Sequence, residues 1–414
     1  MKILDGLKVL DLTTVVSGPY AASLLADLGA DVIKVEPPDA GDSARSFEST
    51  EPLYTLMGMS PHIMTLARNK RGTVINLRSE QGTETFYDLV RWADVVVDNY
   101  RPGVTERLKI DYPSLKAVNP RIITASITGY GLTGPGKDRA ALDGCIQAYS
   151  GVMGITGEPD GTPMRAGPLI GDMCSGMAGA LGILAAITAR DRTGVGQQID
   201  ISMLDVQLSI MGYIGTMQMM SGLPAPRYGN EHAMHVPYNA YPTKNGFLFL
   251  AIVINAHWPV LQETLASLTF PEELADDIEW LASNELRDSR ARLGERERIN
   301  DIMTRIFATR EREAWMADFV KAGIPFAPVN SLEEALNDSQ ALARDMVVDV
   351  PHPRGGSYNA PGMPIKMSEA DTGSFAAPPL LGQHTVEVLR DVLGYDAARI
   401  KALVQSGAVE TLKE

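Results

Sequence analysis

The stretch Arg165-Ala166-Gly167-Pro168-Leu169-Ile170-Gly171-Asp172 holds the residue best placed to do chemistry. Gly and Pro shape a tight approach, and one carboxylate stands at the mouth of a helical run. Backbone N–H groups at a helix N-terminus stabilise negative charge. They can hold Asp172 as a carboxylate and also an oxyanion formed beside it. Asp is equally a favoured N-cap, so Asp172 also reads as the cap of its own helix, and the two roles can coexist. The chain has no HExxH, no Walker A loop and no GxSxG. Its two cysteines, Cys145 and Cys174, sit in neither a CxxC nor a Cys/His pattern. A disulfide scaffold and a structural zinc site are therefore not expected. Cys174 follows Asp172 by two residues and reads as a small buried side chain rather than a nucleophile.

What must position Asp172 is an alternation of strands and helices. Lys8–Leu12 predicts a strand, and Ser17-Gly18-Pro19 opens a helix with apolar residues at Ala22, Leu24, Leu25 and Leu28. Asp31–Glu36 predicts the next strand. Further strands are expected at Thr73–Leu77, Asp94–Val97, Arg121–Ser126 and Gln198–Ser202, with a helix over Gln81–Trp92. This pattern predicts an α/β fold with a doubly wound, parallel, Rossmann-like sheet, whose ligands bind beyond the carboxyl ends of the strands. The helix after Asp172 carries Gly176, Gly179 and Gly182, each costing up to about 1 kcal/mol relative to Ala. A helix that keeps them is expected to pack closely on another backbone. Met203–Ser221 reads as a helix whose methionines fill core. The texture changes near Gly222. Residues 1–221 are read as the N-terminal part of a large domain and 222–330 as a smaller α/β domain. Residues 331–414 are read as a Pro/Gly-rich crossover and C-terminal helices returning to the large domain.

With 414 residues and 45% hydrophobic side chains, the chain can bury a large core. A formal net charge of −14 speaks against nucleic-acid binding, which needs a basic face. The basic run Arg68-Asn69-Lys70-Arg71 reads either as a local anion site or as a solvated turn. The N-terminus has no apolar leader, and the apolar stretch Met177–Ala189 is too short to span a bilayer. A cytoplasmic protein without membrane partners is expected.

A series of short motifs resembles the class III CoA-transferases, the family of formyl-CoA, crotonobetainyl-CoA and succinyl-CoA:dicarboxylate transferases. The opening Leu4-Asp5-Gly6, the run VLDLT and Ser17-Gly18-Pro19 resemble the family's first strand and turn. Leu28 to Glu36, Asn69-Lys70-Arg71, Asp98 to Gly103 and Gly129-Tyr130-Gly131 continue the pattern. Gly167 to Gly176, Gly194 to Gln197, Gly323-Ile324-Pro325 and Leu381 to Thr385 complete it. The resemblance implies that Asp172 is the nucleophile, attacking a thioester to form a mixed anhydride and then an aspartyl-CoA thioester. It implies that Asp143 lines the active site, a residue that otherwise reads as the N-cap of a helix over Gly144–Ser150. It carries the CoA contacts to Val16, Ser17, Arg78, Asn99, Tyr100, Arg107 and Met203. The two arginines suit phosphates and Tyr100 suits adenine. No metal and no permanently bound cofactor is implied, the CoA thioester being a substrate. An interlocked homodimer is implied as well.

Val16 stands where formyl-CoA transferases carry Gln, and no Gly-rich run lies between 222 and 260. Dicarboxylates such as succinate, mesaconate, citramalate or malate are therefore the expected acids. Arg45, Arg165 or His235 could take the distal carboxylate, and His232 and His235 could approach a carboxylate substrate. An α-methylacyl-CoA racemase needs a His before the Asp of the 142–143 position, and here Leu142 stands there. A dinucleotide-binding module needs GxGxxG after the first strand, and here the turn reads Val15-Val16-Ser17-Gly18-Pro19-Tyr20.

Overall fold

The computed structural model describes residues 2–47, 51 and 53–412. They form two compact units. The first comprises the chain up to 152, then 165–222, then everything from 338; the second comprises 153–164 and 223–337. Segment 153–164, read from sequence as part of the large domain, belongs to the second unit.

The first unit is built on β1 (Lys8–Asp11), α1 (Ser17–Asp27), β2 (Asp31–Glu36), β3 (Lys70–Ile75), α2 (Glu80–Trp92), β4 (Val95–Asp98), β5 (Ile123–Thr128), α3 (Asp143–Tyr149), α4 (Ile170–Thr193), β6 (Gln198–Ser202), α5 (Met203–Ile210) and α6 (Gly212–Ser221). The six strands run parallel in the order β3-β2-β1-β4-β5-β6, and a two-residue antiparallel strand, Val409–Glu410, closes the β3 edge. Both faces are covered, as parallel sheets require. Val9, Val32, Val95, Val97, Ala125 and Ile127 belong to one core with Ala21 and Leu25 of α1 and Ile183 of α4. Leu10, Ile33, Val35 and Val96 belong to the other, with Phe86, Leu89 and Val90 of α2 and Leu389 and Leu403 near the C-terminus. The alternation follows from the two-residue period of a strand. Strand order reverses between β1 and β4, so a crevice opens beyond their carboxyl ends.

The glycines of α4 do what their helix cost implies. A Cβ on Gly176 would lie 2.7 Å from the backbone oxygen of Ser17, and one on Gly179 would lie 2.8 Å from Ile127 Cδ1. α4 therefore seats directly on α1. At 24 residues it is also long and apolar enough to cross a membrane by length and composition alone.

Three expectations fail. β3 begins at Lys70, three residues before the expected strand. The basic run is neither an anion site nor a solvated turn, because its charges are neutralised inside the unit. Arg68 pairs with Asp27 at 2.6 Å, Lys70 with Asp11 at 2.8 Å and Arg71 with Asp31 at 2.7 Å. The Met-rich segment breaks at Gly212 (φ 52°) into α5 and α6. Met203 is buried, but Met217, Met219 and Met220 are exposed, because no element among the described residues covers α6.

The second unit pairs β7 (Tyr238–Thr243), β8 (Gly246–Ala251) and β9 (Phe326–Pro328) as an antiparallel sheet. α7 (His257–Ala266), α8 (Arg296–Phe307) and α9 (Arg312–Ala322) bury Trp258, Phe307, Trp315 and Phe319 around Leu248 and Leu250.

Candidate active site

The loop after β1 is held in place from two sides. The Asn99 side-chain amide grips the backbone of Thr14, accepting from its N–H at 2.9 Å and donating to its carbonyl at 2.7 Å. The Val15 N–H donates to Asp42 Oδ1 at 3.1 Å, and Lys34 Nζ donates to the Thr13 carbonyl at 2.8 Å. Val15 has φ 68°, a strained conformation for a β-branched residue that persists only where neighbours enforce it. The outcome is that Val16 and Ser17, at the N-terminus of α1, are presented at the crevice.

α4 supplies the carboxylate. Asp172 lies in its first turn, while the N-cap position is Leu169, which offers no side-chain bond. Asp143 likewise lies inside its own helix, behind an N-cap at Leu142. Neither aspartate caps its own helix, contrary to the simpler expectation. Instead Asp143 serves the neighbouring helix, its Oδ1 accepting from the Asp172 backbone N–H at 3.1 Å. Asp143 Oδ2 accepts from Gln147 Nε2 at 2.6 Å, and Gln147 Oε1 accepts from the Ala166 N–H at 2.9 Å. Gly171 is needed between them, since a Cβ there would lie 2.8 Å from Asp143 Oδ1.

The Asp172 side chain is half-buried. Burial and then the charge of Asp143 push its carboxyl up to about 6, opposed by a hydrogen bond from the Ser17 side chain. A carboxyl raised this way is a stronger base and nucleophile than an ordinary aspartate, yet it is ionised at neutral pH.

Asp172 lines a cavity of about 440 Å³ together with Val16, Ser17, Asn99, Tyr100 and Met203. Six of the nine residues expected from sequence thus meet at one pocket, and Asp143 is buried beside Asp172. Arg78 and Arg107 do not line it. Both are exposed, Arg78 in the turn before α2 and Arg107 at the end of the one-turn helix Val104–Arg107. The pocket's cationic side chains are Arg101, Lys137 and Arg139. The Arg139 guanidinium lies over the rings of Tyr149 and Tyr130, at 5.2 and 6.0 Å. These residues were missed from sequence, although Arg101 follows β4 and the run Gly134-Pro135-Gly136-Lys137-Asp138-Arg139 follows β5 at the binding end of the sheet.

Burial pushes the Tyr100 phenol up to about 12, so it remains protonated. Cys174 is half-buried rather than buried, and burial together with Asp143 raises its thiol, which disfavours a thiolate. Arg45 is committed to Glu36 through bonds of 2.7 and 2.6 Å and to the Pro379 carbonyl. Arg165 is exposed on the approach to Asp172 and folds onto the carbonyls of Ala166 and Gly167 at 3.0 and 2.9 Å. His232 and His235 stack at 4.5 Å within the second unit. Leu142 lines the pocket, so no histidine stands before Asp143.

Residues 4–385 match CoA-transferase family III. A succinyl-CoA:glutarate CoA-transferase of Mus musculus is 36% identical over 414 residues, covering 99% of this chain and 91% of the relative. A succinyl-CoA:mesaconate CoA-transferase of Haloarcula hispanica is 34% identical over 399 residues, covering 94% and 96%. The crystal structure of a CAIB/BAIF family protein from Brucella suis superposes with a TM-score of 0.81 at 33% identity, covering 94% of this chain and 99% of that one.

Proposed function

Because the chain belongs to CoA-transferase family III, we propose that it moves CoA from an acyl-CoA to a dicarboxylic acid through covalent intermediates on Asp172. The observation that carries this reading is the Asp172 carboxyl, raised to about 6, at the wall of a pocket on the binding end of the sheet.

The chemistry balances without an outside reagent. An Asp172 oxygen attacks the donor thioester carbonyl, the C–S bond breaks, and an acyl-aspartyl anhydride and CoA thiolate result. The thiolate attacks the aspartyl carbonyl, releasing the donor acid as its carboxylate and leaving an aspartyl-CoA thioester. The acceptor carboxylate attacks that thioester to give a new anhydride and free thiolate. The thiolate then takes the acyl group and restores Asp172. Each tetrahedral step develops an oxyanion. The first N–H groups of α1, at Ser17 and Gly18, have no intrahelical acceptor and support its stabilisation, whereas the Ile170 and Asp172 N–H groups of α4 are engaged by Pro168 and Asp143. Asp143 keeps the Asp172 backbone in place and its own charge makes Asp172 more basic.

For CoA itself, Val16, Ser17 and Met203 form the wall and Tyr100 offers a face to the adenine. Arg101, Lys137 and Arg139 are better supported as phosphate partners than Arg78 and Arg107, because they line the pocket. The Asn99 amide grips Thr14 with its oxygen and one N–H, which supports the loop, and as a pocket-lining residue it keeps a second N–H for CoA. The names of the relatives support a dicarboxylate acceptor such as glutarate or mesaconate. Arg165 is the better-supported partner of its distal carboxylate, since Arg45 is neutralised by Glu36.

We also infer a homodimer, interlocked as the family resemblance implies. Leu181 of α4, Leu208 of α5 and Tyr213, Met219 and Met220 of α6 are exposed, an apolar face that a second copy would cover. Free Cys145 and Cys174 support a reducing, cytoplasmic setting.

The test is incubation with succinyl-CoA and a panel of mono- and dicarboxylates, reading acyl-CoA products by chromatography and Asp172 peptide masses with and without hydroxylamine. Exchange onto a dicarboxylate with a hydroxylamine-sensitive mass on Asp172 is expected. Deuterium uptake at the substrate α-carbon with no adduct would replace this reading by a racemase. Sedimentation at micromolar concentration should give a dimer.

A further inference from the structure

Gln147 lies one turn after Asp143 on α3, is fully buried, and uses both ends of its amide. Its Nε2 donates to Asp143 Oδ2 at 2.6 Å, and its Oε1 accepts from the Ala166 N–H at 2.9 Å, on the approach that leads to Asp172. The second oxygen of Asp143 accepts from the Asp172 N–H. One continuous chain of bonds therefore runs from the approach segment through Gln147 and Asp143 to the backbone of Asp172. Only an amide suits this place. The carboxylate on one side needs a donor and the N–H on the other needs an acceptor. A glutamate would set a third carboxylate against Asp143, and a leucine would leave two buried groups unpaired.

We propose that Gln147 is the positioning residue of the transfer reaction, clamping Asp143 and the 165–171 approach together so that Asp172 is presented for attack. The proposal rests on the reading of Asp172 as nucleophile. Asp143, on α3, is the charge that raises the Asp172 carboxyl, Ser17 of α1 contributes a neutral hydroxyl that opposes it, and the exposed cations Arg101, Lys137 and Arg139 line the same pocket. Without Gln147, Asp143 and the 165–171 approach lose their shared tie, and Asp172 is held less firmly for attack. With glutamate at 147, added negative charge beside Asp143 raises the Asp172 carboxyl further.

A second buried amide provides the control. Gln207 of α5 is fully buried, lies across Gly171 from Asp143, and has no side-chain partner among the described residues.

The experiment follows the rate of Asp172 loading by succinyl-CoA against pH in the wild-type protein and in the Gln147→Leu, Gln147→Glu and Gln207→Met variants. Thermal melts accompany each. For Gln147→Leu, kcat should fall about 10- to 100-fold, as when a partner that orients a reacting group is removed, with KM for succinyl-CoA within about twofold. The loading midpoint of Gln147→Glu should rise, while kcat and the midpoint of Gln207→Met should stay at the wild-type values. Gln147→Glu is nearly isosteric and carries the test if the leucine variant does not fold. An unchanged kcat in Gln147→Leu, an unmoved midpoint in Gln147→Glu, or the same changes in Gln207→Met would overturn the proposal while leaving the nucleophile intact. A wild-type protein that forms no adduct on Asp172 would instead overturn the underlying reading.

Discussion

Two clusters of buried charge in the first unit are built on opposite plans. Along β1 to β3, Lys70, Asp11, Lys34 and Asp42 alternate in sign, with Lys70 on Asp11 at 2.8 Å and Lys34 on Asp42 at 2.9 Å. Burial alone would raise the Asp11 carboxyl, but Lys70 and Lys34 outweigh it and hold the group below its ordinary value. At the pocket, Asp143 and Asp172 are two carboxylates with no cation between them. Backbone N–H groups and neutral side chains are their partners, and Asp172 is pushed up to about 6. The first cluster supports the loop that carries Val16 and Ser17; the second faces the pocket where we propose the reaction takes place. Where charge supports the fold it is neutralised, and at the proposed reaction site it is left unneutralised.

The contrast can be broken at either end. The largest effect is expected from Asp172→Asn, which removes the proposed nucleophile and should lower turnover by roughly 10⁴-fold or more in a transferase assay. Lys70→Met leaves Asp11 buried without its cation and should cost about 3–5 kcal/mol, read from urea unfolding at pH 7. Asp172→Asn should do the reverse to stability. The folded carboxyl titrates near 6 against an ordinary 3.8, so its favourable contribution is complete below about 4 and is lost as pH rises through 6. The asparagine variant should therefore be more stable than wild type at pH 8, by up to about 3 kcal/mol, and equal to it at pH 4. The smallest effect sharpens the comparison at the rim. Lys137→Ala and Arg139→Ala remove exposed cations from the pocket and should raise KM for acyl-CoA about three- to tenfold, with kcat nearly unchanged and the loss reduced by salt.

How much of this could be read from sequence depended on whether the information was local. β1, β2 and β6 were legible because parallel strands are short apolar runs bounded by turn residues. β3 was displaced by three residues because Lys70 and Arg71 disguise its start, and their partners Asp11 and Asp31 lie 59 and 40 positions away. The close approach of α4 to α1 was legible because glycines inside a long helix need a packing reason. Asp172 was legible from its Gly/Pro approach and the motif around it. The role of Asp143 was visible only by resemblance. It caps a helix that begins far along the chain, a contact that no local pattern encodes. Gln147 gave no signal at all, since an amide one turn along a helix looks like any polar residue. Arg78 and Arg107 were favoured as phosphate partners by resemblance, yet the pocket is lined by Arg101, Lys137 and Arg139. The methionines of α6 read as core in the sequence because hydrophobicity alone does not separate a buried position from an exposed one.

The most direct test of the unneutralised carboxylate is the pH dependence of Asp172 loading, measured by rapid-quench peptide mass spectrometry after mixing with succinyl-CoA. A hydroxylamine-sensitive adduct on Asp172, forming with a midpoint near pH 6 and a plateau above pH 7, is the expected result. No adduct on Asp172, or a loading rate that does not change between pH 4.5 and 8, would contradict it.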